Sequence, residues 1–246
     1  MSDKQLLAAG ATHVGQMRKE NQDSLMVNVT GFATLPNLFI VADGLGGHNA
    51  GSIASIGAIQ SFCDFLDGVG GLMSYSDLMA DALNHANTQI NNKATTNAEY
   101  TGMGTTFTSA TVVDGFLYFA HVGDSRIYVI KNEIMEQITT DHSSSVVEMV
   151  ADGLVTEAEA RNYPEKVLTR AVGTDFTVEV DKGKLDLTDV THILLCSDGL
   201  TNMVFENNIL EIIKTNTDPE NIAKQLIDAA NTAGGTDNIT AIVIKL

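Results

Sequence analysis

Apolar residues gather in short runs bounded by turn residues. They fall at Leu25 to Val29, Leu38 to Ala42, Thr105 to Val113, Phe116 to Val122, Ser125 to Ile130, Val178 to Asp181, Ile193 to Cys196 and Ile239 to Ile244. Their shortness and β-branched content predict strands. Asp114-Gly115 separates two of these runs and predicts a hairpin with a type I′ turn. Lys131-Asn132 predicts a second turn that continues the meander. Helical spacing comes in separate blocks. Met79, Ala82, Leu83, Ala86 and Ile90 follow Ser74 and Asp77, which resemble a capping box with Asp in place of Glu. Asp218 as N-cap and Pro219 at the first helical position precede Ile222, Ala223, Leu226, Ile227 and Ala230, stopped by Gly234-Gly235. A third helix is predicted from Asn49 to Phe65. A strand meander with segregated helices predicts an α+β architecture with two packed antiparallel sheets, not a doubly wound parallel sheet.

Composition narrows the class. The chain has 246 residues, 44% of them apolar, with three prolines and no internal repeat, so one domain over 1–246 is expected. The net charge of −17, with basic residues scattered, argues against a nucleic-acid or anionic-membrane partner. The N-terminus lacks the apolar stretch of a signal peptide, and no apolar run approaches the ~18 residues of a membrane span, so a cytoplasmic protein is expected. Cys63 and Cys196 have no partner at metal-motif spacing and read as reduced, buried small hydrophobes.

The candidate chemistry lies in aspartates beside these strands. Leu38 to Ala42 leads to Asp43-Gly44, and Ile193 to Cys196 leads through Ser197 to Asp198-Gly199. Leu117 to Val122 leads to Gly123-Asp124, and Thr236-Asp237-Asn238 precedes the last strand. Each Asp-Gly pair taken alone also reads as a turn. Carboxylates brought together at one sheet rim need a cation. An oxygen-only set without a His or Cys cluster selects Mg²⁺ or Mn²⁺. Two such ions about 3.5–4 Å apart polarise a phosphoryl oxygen and activate a water for phosphoester hydrolysis. Arg18, ahead of Asp23, offers a planar fork for phosphate. Arg126 and Arg170 are also candidates, and both read first as partners of structural ion pairs. GLGGH lacks the Lys-Ser/Thr of a phosphate-binding loop, so ATP binding is not expected.

Eight ordered blocks resemble the metal-dependent PPM, or type 2C, serine/threonine protein phosphatases. They are RKENQDS from Arg18, VADGLGGH from Val41, GMGTTFTSA from Gly102, HVGDSRIY from His121, TTDHS from Thr139, LTRAVG from Leu168, LLCSDGL from Leu194 and GGTDNIT from Gly234. The length and GLGGH resemble the bacterial branch. The resemblance implies a central β-sandwich of two antiparallel sheets flanked by helices, in four layers. It also implies hydrolysis of phosphoserine and phosphothreonine by direct attack of water. Asp43 would bridge two Mn²⁺ or Mg²⁺ ions, with the Gly44 carbonyl on the second and Asp198 and Asp237 on the first. Asp23 would orient water, Arg18 would grip the phosphate, and Asp124 with Asp198 would match a third, weaker metal position. Phosphorylated proteins, including a serine/threonine kinase and its substrates, are the implied partners of a monomer.

Two positions depart from the family pattern. Leu45 stands where many relatives carry a histidine after Asp-Gly, so the general acid falls to His48 or to metal-bound water. Gln22 stands where relatives often carry Glu, which predicts weaker binding at the second ion. His142 is read as structural, and residues 143–167, with apolar Val146, Val147, Met149, Val150 and Leu154, resemble the flap of bacterial members. A surface helix pair is the other reading of that stretch. Two further functions share these residues: a phosphoprotein-binding pseudophosphatase, which relatives become by losing metal-bearing aspartates, and a small-molecule phosphoesterase. Asp43, Asp198 and Asp237 are all present, which favours catalysis.

Overall fold

A computed structural model describes residues 6–47, 49–69, 73–160 and 166–246. The chain begins with β1 (Leu7–His13), β2 (Asp23–Asn28) and β3 (Leu38–Leu45), followed by α1 (Ala50–Gly68) and α2 (Tyr75–Thr96). A meander follows, with β4 (Gly104–Thr105), β5 (Phe107–Val113), β6 (Phe116–Val122), β7 (Arg126–Lys131) and β8 (Ile134–Gln137). Next come β9 (Ser143–Ser145), α3 (Val146–Ala151), α4 (Glu157–Ala160), β10 (Lys166–Leu168), β11 (Asp181–Asp186) and β12 (Val190–Cys196). The chain closes with α5 (Asp198–Thr201), α6 (Glu206–Thr215), α7 (Pro219–Thr232) and β13 (Ile239–Lys245).

Two antiparallel sheets carry the structure, in the orders β1-β13-β12-β7-β8 and β11-β6-β5-β3-β2, with β4 paired beside β3. Strand alternation sorts their side chains into three apolar layers. Phe39 and Val41 of β3 meet Ile127, Val129, Ile193, Leu195, Ile242 and Ile244 between the sheets. Leu38, Ile40 and Ala42 turn the other way, onto α1 and α2 through Ala54, Ala58, Phe62, Met79 and Leu83. Tyr128, Leu194, Cys196, Ala241 and Val243 do the same on the opposite face, against Leu200, Ile209, Leu226 and Ala230. The result is the four-layer helix–sheet–sheet–helix sandwich. Strands buried on both faces read as continuous apolar runs, which is why the sequence exposed them.

Local chemistry explains the turns and caps. Asp114 and Gly115 have φ of 50° and 80°, and Val113 pairs with Phe116, so the two-residue hairpin is built as expected. The second turn shifts by one residue, to Asn132 and Glu133, both at positive φ between Lys131 and Ile134. Ser74 Oγ accepts from the Asp77 N–H, but the Asp77 carboxylate pairs with Lys182 at 2.7 Å instead of closing the box. Asp218 caps α7 by accepting from the Glu220 N–H. The helix expected over 49–65 starts at Ala50 and runs three residues further, to Gly68.

Other expectations are corrected. Val178 to Val180 is not a strand: Val178 and Val180 pack as a loop against the α1–α2 layer, and β11 begins at Asp181 and pairs with β6. Its Asp-Lys-Gly-Lys-Leu-Asp sequence lacks an apolar run because it is an edge strand. β1 escaped notice for a related reason, since Leu-Ala-Ala-Gly-Ala-Thr-His has weak β-propensity and owes its strand to pairing with β13. Cys196 is fully buried, whereas Cys63 is only partly covered, on the flank of α1; both thiols are free.

Phe62 is fully buried and packs on Phe107 with ring centroids 5.0 Å apart. Phe62→Ala is therefore expected to cost about 3–5 kcal/mol, whereas truncating the half-exposed Ile56 on the same helix costs under about 1 kcal/mol. Urea unfolding measures both, and equal losses would contradict this placement of α1.

Candidate metal centre

Asp23 and Asp43 stand directly opposite one another on neighbouring strands, β2 and β3. Like charges at such a pair are destabilising, so the backbone must hold them there against their repulsion. The Asp43 N–H donates to Thr106 Oγ1 at 2.9 Å, and its carbonyl accepts from the Thr106 N–H and from Thr105 Oγ1. The Asp43 to Leu45 segment continues β3, where the sequence had placed it just beyond the strand. At Gly44 a Cβ would lie 2.2 Å from the Gly51 carbonyl oxygen and 2.6 Å from that of Gln22, so only glycine lets the chain pass.

Asp23 joins the two sheets. Its Oδ2 accepts from Ser197 Oγ at 2.8 Å and from Thr240 Oγ1 at 2.6 Å, while its buried Oδ1 has no hydrogen-bond partner. Ser197 ends the β12 run, so Asp198 opens α5 beside it and accepts from Asn202 Nδ2 at 2.9 Å. Asn238 fastens the fourth acid. Its Nδ2 donates to the Val14 and Glu20 carbonyls, its Oδ1 accepts from the Gln22 N–H, and its own N–H donates to Asp237 Oδ1. Thus the loop bearing Arg18 is tied to the start of β13. His142 brackets the turn before Asp124: its N–H donates to the Gly123 carbonyl, and its Nδ1 accepts from the Gly123 N–H. These bonds are what a structural histidine makes.

A cleft of about 660 Å³ opens at this rim, lined by Arg18, Asp43, Asp124, Lys166, Asp198 and Asp237 among others. The structure thus brings together Arg18, Asp43, Gly44, Asp124, Asp198 and Asp237, with Asp23 buried beneath them. His48 lies outside the described residues. Burial and then the neighbouring acids, Asp23 first, push Asp43 well above the carboxylate range. Burial likewise raises Asp198 and Asp23 to about 6 each, the former with Asp124 and Asp237 as the next causes. Arg126 and Arg170 behave as ion-pair partners, binding Asp141 through two nitrogens at 2.9 and 2.8 Å and Asp181 at 2.8 Å.

Among the described residues no three His, Cys, Asp or Glu side chains form a ready-made ion site. Two protein cations neutralise two of the acids instead: Arg18 pairs with Asp237 at 2.8 Å and Lys166 with Asp124 at 3.1 Å. The remaining chemistry fits hard divalent ions. Asp43 and Asp198 are raised by burial first and by neighbouring acids next, Asp23 keeps an unpartnered buried oxygen, and every donor is oxygen. Sequence reasoning missed the supports, namely Ser197, Thr240, Asn238 and Lys166. The first two carried a signal, as fully buried hydroxyls within otherwise apolar runs. Lys166 carried none, because its direction depends on the pairing of β9 with β10.

The protein phosphatase 2C family model matches residues 9–234. The chain is 35% identical over 240 residues to the serine/threonine phosphatase stp of Listeria monocytogenes, covering 95% of this chain and 93% of that protein. It is 36% identical over 249 residues to the protein phosphatase PhpP of Streptococcus pneumoniae, covering 96% and 95%. The crystal structure of serine/threonine phosphatase Stp1 from Staphylococcus aureus superposes with a TM-score of 0.83 at 33% identity, covering 98% of this chain and 95% of that one.

A buried acid with a raised pKa keeps its proton in the folded chain after the unfolded chain has lost its own. Stability from Asp23 and Asp198 therefore falls as pH rises from the ordinary carboxyl value of 3.8 through about 6. A divalent ion reverses that loss by competing with the protons. At pH 7, Mn²⁺ at about 100 times its Kd should stabilise by about 2.7 kcal/mol, or roughly 5–10 °C in Tm, and at pH 5 by less. Thermal unfolding with Mn²⁺ against EDTA at both pH values measures this; equal shifts would contradict it.

Proposed function

The chain belongs to the protein phosphatase 2C family, and from that premise we propose that it is a metal-dependent protein serine/threonine phosphatase. The observation that carries the reading is the meeting of Asp43, Asp124, Asp198 and Asp237 in one cleft with Arg18 at its mouth. In this reading Asp43, the Gly44 carbonyl, Asp198 and Asp237 would hold two ions, and Asp124 with Asp198 would hold a third. Mn²⁺ and Mg²⁺ are the ions that an all-oxygen set selects. When bound, they supply Lewis acidity at the phosphoryl oxygens and an activated water.

The chain's own residues do the rest. Arg18 spends one nitrogen on Asp237 and, among the described residues, has no other hydrogen-bond partner, so the remaining fork is available to the substrate phosphate. Asp23, held by Ser197 and Thr240, fixes the orientation of water in the cleft. The seryl or threonyl oxygen leaves opposite the attacking water and takes its proton from His48 or from solvent, since Leu45 has none to give.

We read residues 1–246 as one catalytic domain, monomeric and cytoplasmic, with 143–167 as its flap. Its substrates are phosphorylated proteins, among them those of a serine/threonine kinase. Among the described residues no helix is long and apolar enough to cross a membrane.

A phosphothreonine peptide tests the reading. Hydrolysis should require added Mn²⁺ or Mg²⁺ and fall at least ~10³-fold in Asp43→Asn. Arg18→Ala should lower kcat/KM by about 10–100-fold, the worth of a charge-assisted bond. Turnover in EDTA, or full activity in Asp43→Asn, would overturn it.

A further inference from the structure

The segment between β10 and β11 brings Thr174 and Asp175 into the wall of the cleft. Its backbone is clamped to α2 by two buried amides. Asn87, 1% exposed, accepts from the Gly173 N–H at 2.7 Å and donates to the Asp175 and Phe176 carbonyls at 3.1 and 3.2 Å. Asn91, one turn along the helix, donates to the Gly173 carbonyl at 3.1 Å. Gly173 has φ of 93°, and a Cβ there would lie 2.2 Å from Ile90 Cγ2, so the loop is pressed against the helix. Ala171 and Val172 are buried ahead of it, and Val178 and Val180 pack behind it. Releasing the loop would strand both buried amides, which fixes its position.

The clamped loop holds two adjacent side chains in solvent. Phe176 is 76% exposed, although Val178 and Val180 on the same segment are packed against the α1–α2 layer. A lone exposed aromatic is ordinary on a protein surface. This one follows a residue of the cleft wall, on a backbone whose position is already fixed. Asp175 is exposed as well. Its carboxylate accepts from Thr174 Oγ1 at 3.4 Å and, among the described residues, has no ion-pair partner. By contrast, Asp124, Asp181 and Asp237 carry Lys166, Arg170 and Arg18.

The cleft runs from Arg18 and Asp43 to Thr174 and Asp175, and its 660 Å³ exceeds what a phosphoryl group fills. A neighbouring residue of the substrate chain therefore has room at the Asp175 end. An uncommitted carboxylate beside an exposed ring suits a guanidinium, which pairs with the first through its planar fork and stacks on the second. Resting on the phosphatase reading, we propose that Asp175 and Phe176 form a specificity site for an arginine flanking the phosphoresidue, with Asn87 as the residue that positions them. The net charge of −17 favours approach of such a basic segment. Because the loop is already ordered, binding does not spend energy on arranging it.

Phosphothreonine peptides that differ in one residue test this, with Arg, Ala or Glu moved along either side of the phosphothreonine and kcat and KM measured in Mn²⁺. At one or two positions, wild-type kcat/KM should be about 3–30-fold higher for Arg than for Ala, through KM, and lowest for Glu. The Arg-to-Ala ratio should shrink as salt is raised. Asp175→Asn and Phe176→Ala should each reduce that ratio, and Asp175→Lys should turn the preference towards Glu. Asn87→Ala should reduce the ratio without altering either contacting side chain. Equal kcat/KM for the three peptides at every position, or a ratio that survives both Asp175→Asn and Phe176→Ala, overturns the inference. If the peptides are hydrolysed without preference, this inference alone fails; if none is hydrolysed with Mn²⁺ present, the phosphatase reading fails with it.

Discussion

Carboxylates crowded at one rim cannot all stay charged, and the organisation of this rim follows from that constraint. Asp23 faces Asp43 across two paired strands, with Asp198 close enough to raise Asp43 further. Without a cation, the acids either keep protons or borrow positive charge from Arg18 and Lys166. Such a cluster costs stability in the folded chain, and the sandwich beneath supplies the rigidity that tolerates it.

Rigidity here has identifiable parts. Thr105 and Thr106 fix the Asp43 backbone, while Ser197 and Thr240 reach across from the other sheet to the Asp23 carboxylate. Asp23 therefore sits where the two sheets are cross-linked by hydrogen bonds, with Asp43 opposite it on β3. Asn238 extends the same frame to the Arg18 loop, so Arg18 and the acid cluster share one support. By contrast, among the described residues the β9–β10 ribbon and α3 are held by three strand pairs and no buried side chain of α3.

Much of this was legible in the sequence, for physical reasons. Strands such as Leu38 to Ala42 and Ile239 to Ile244 are covered on both faces, so their apolar runs stand out. The Asp-Gly pairs marked the rim because a close-packed backbone at Gly44 and Gly199 admits no Cβ, the nearest atom at Gly199 being the Asn238 carbonyl oxygen at 1.9 Å. What stayed hidden depends on partners far along the chain. β1 is a strand through pairing with β13 rather than propensity, and Val178 to Val180 looks like a strand but packs as a loop. Lys166 gains its meaning from Asp124, 42 residues earlier, and from hairpin register, which no local pattern encodes.

In the metal-free cluster the raised acids hold protons, and a divalent ion that binds there must displace them. Mn²⁺ binding at pH 6, followed by calorimetry in buffers of different ionisation heat, counts those protons directly. Asp23 and Asp198 at about 6, with Asp43 well above its usual range, predict release of about one or more protons per protein as the ions bind. Uptake of Mn²⁺ with no proton release at that pH would contradict the account.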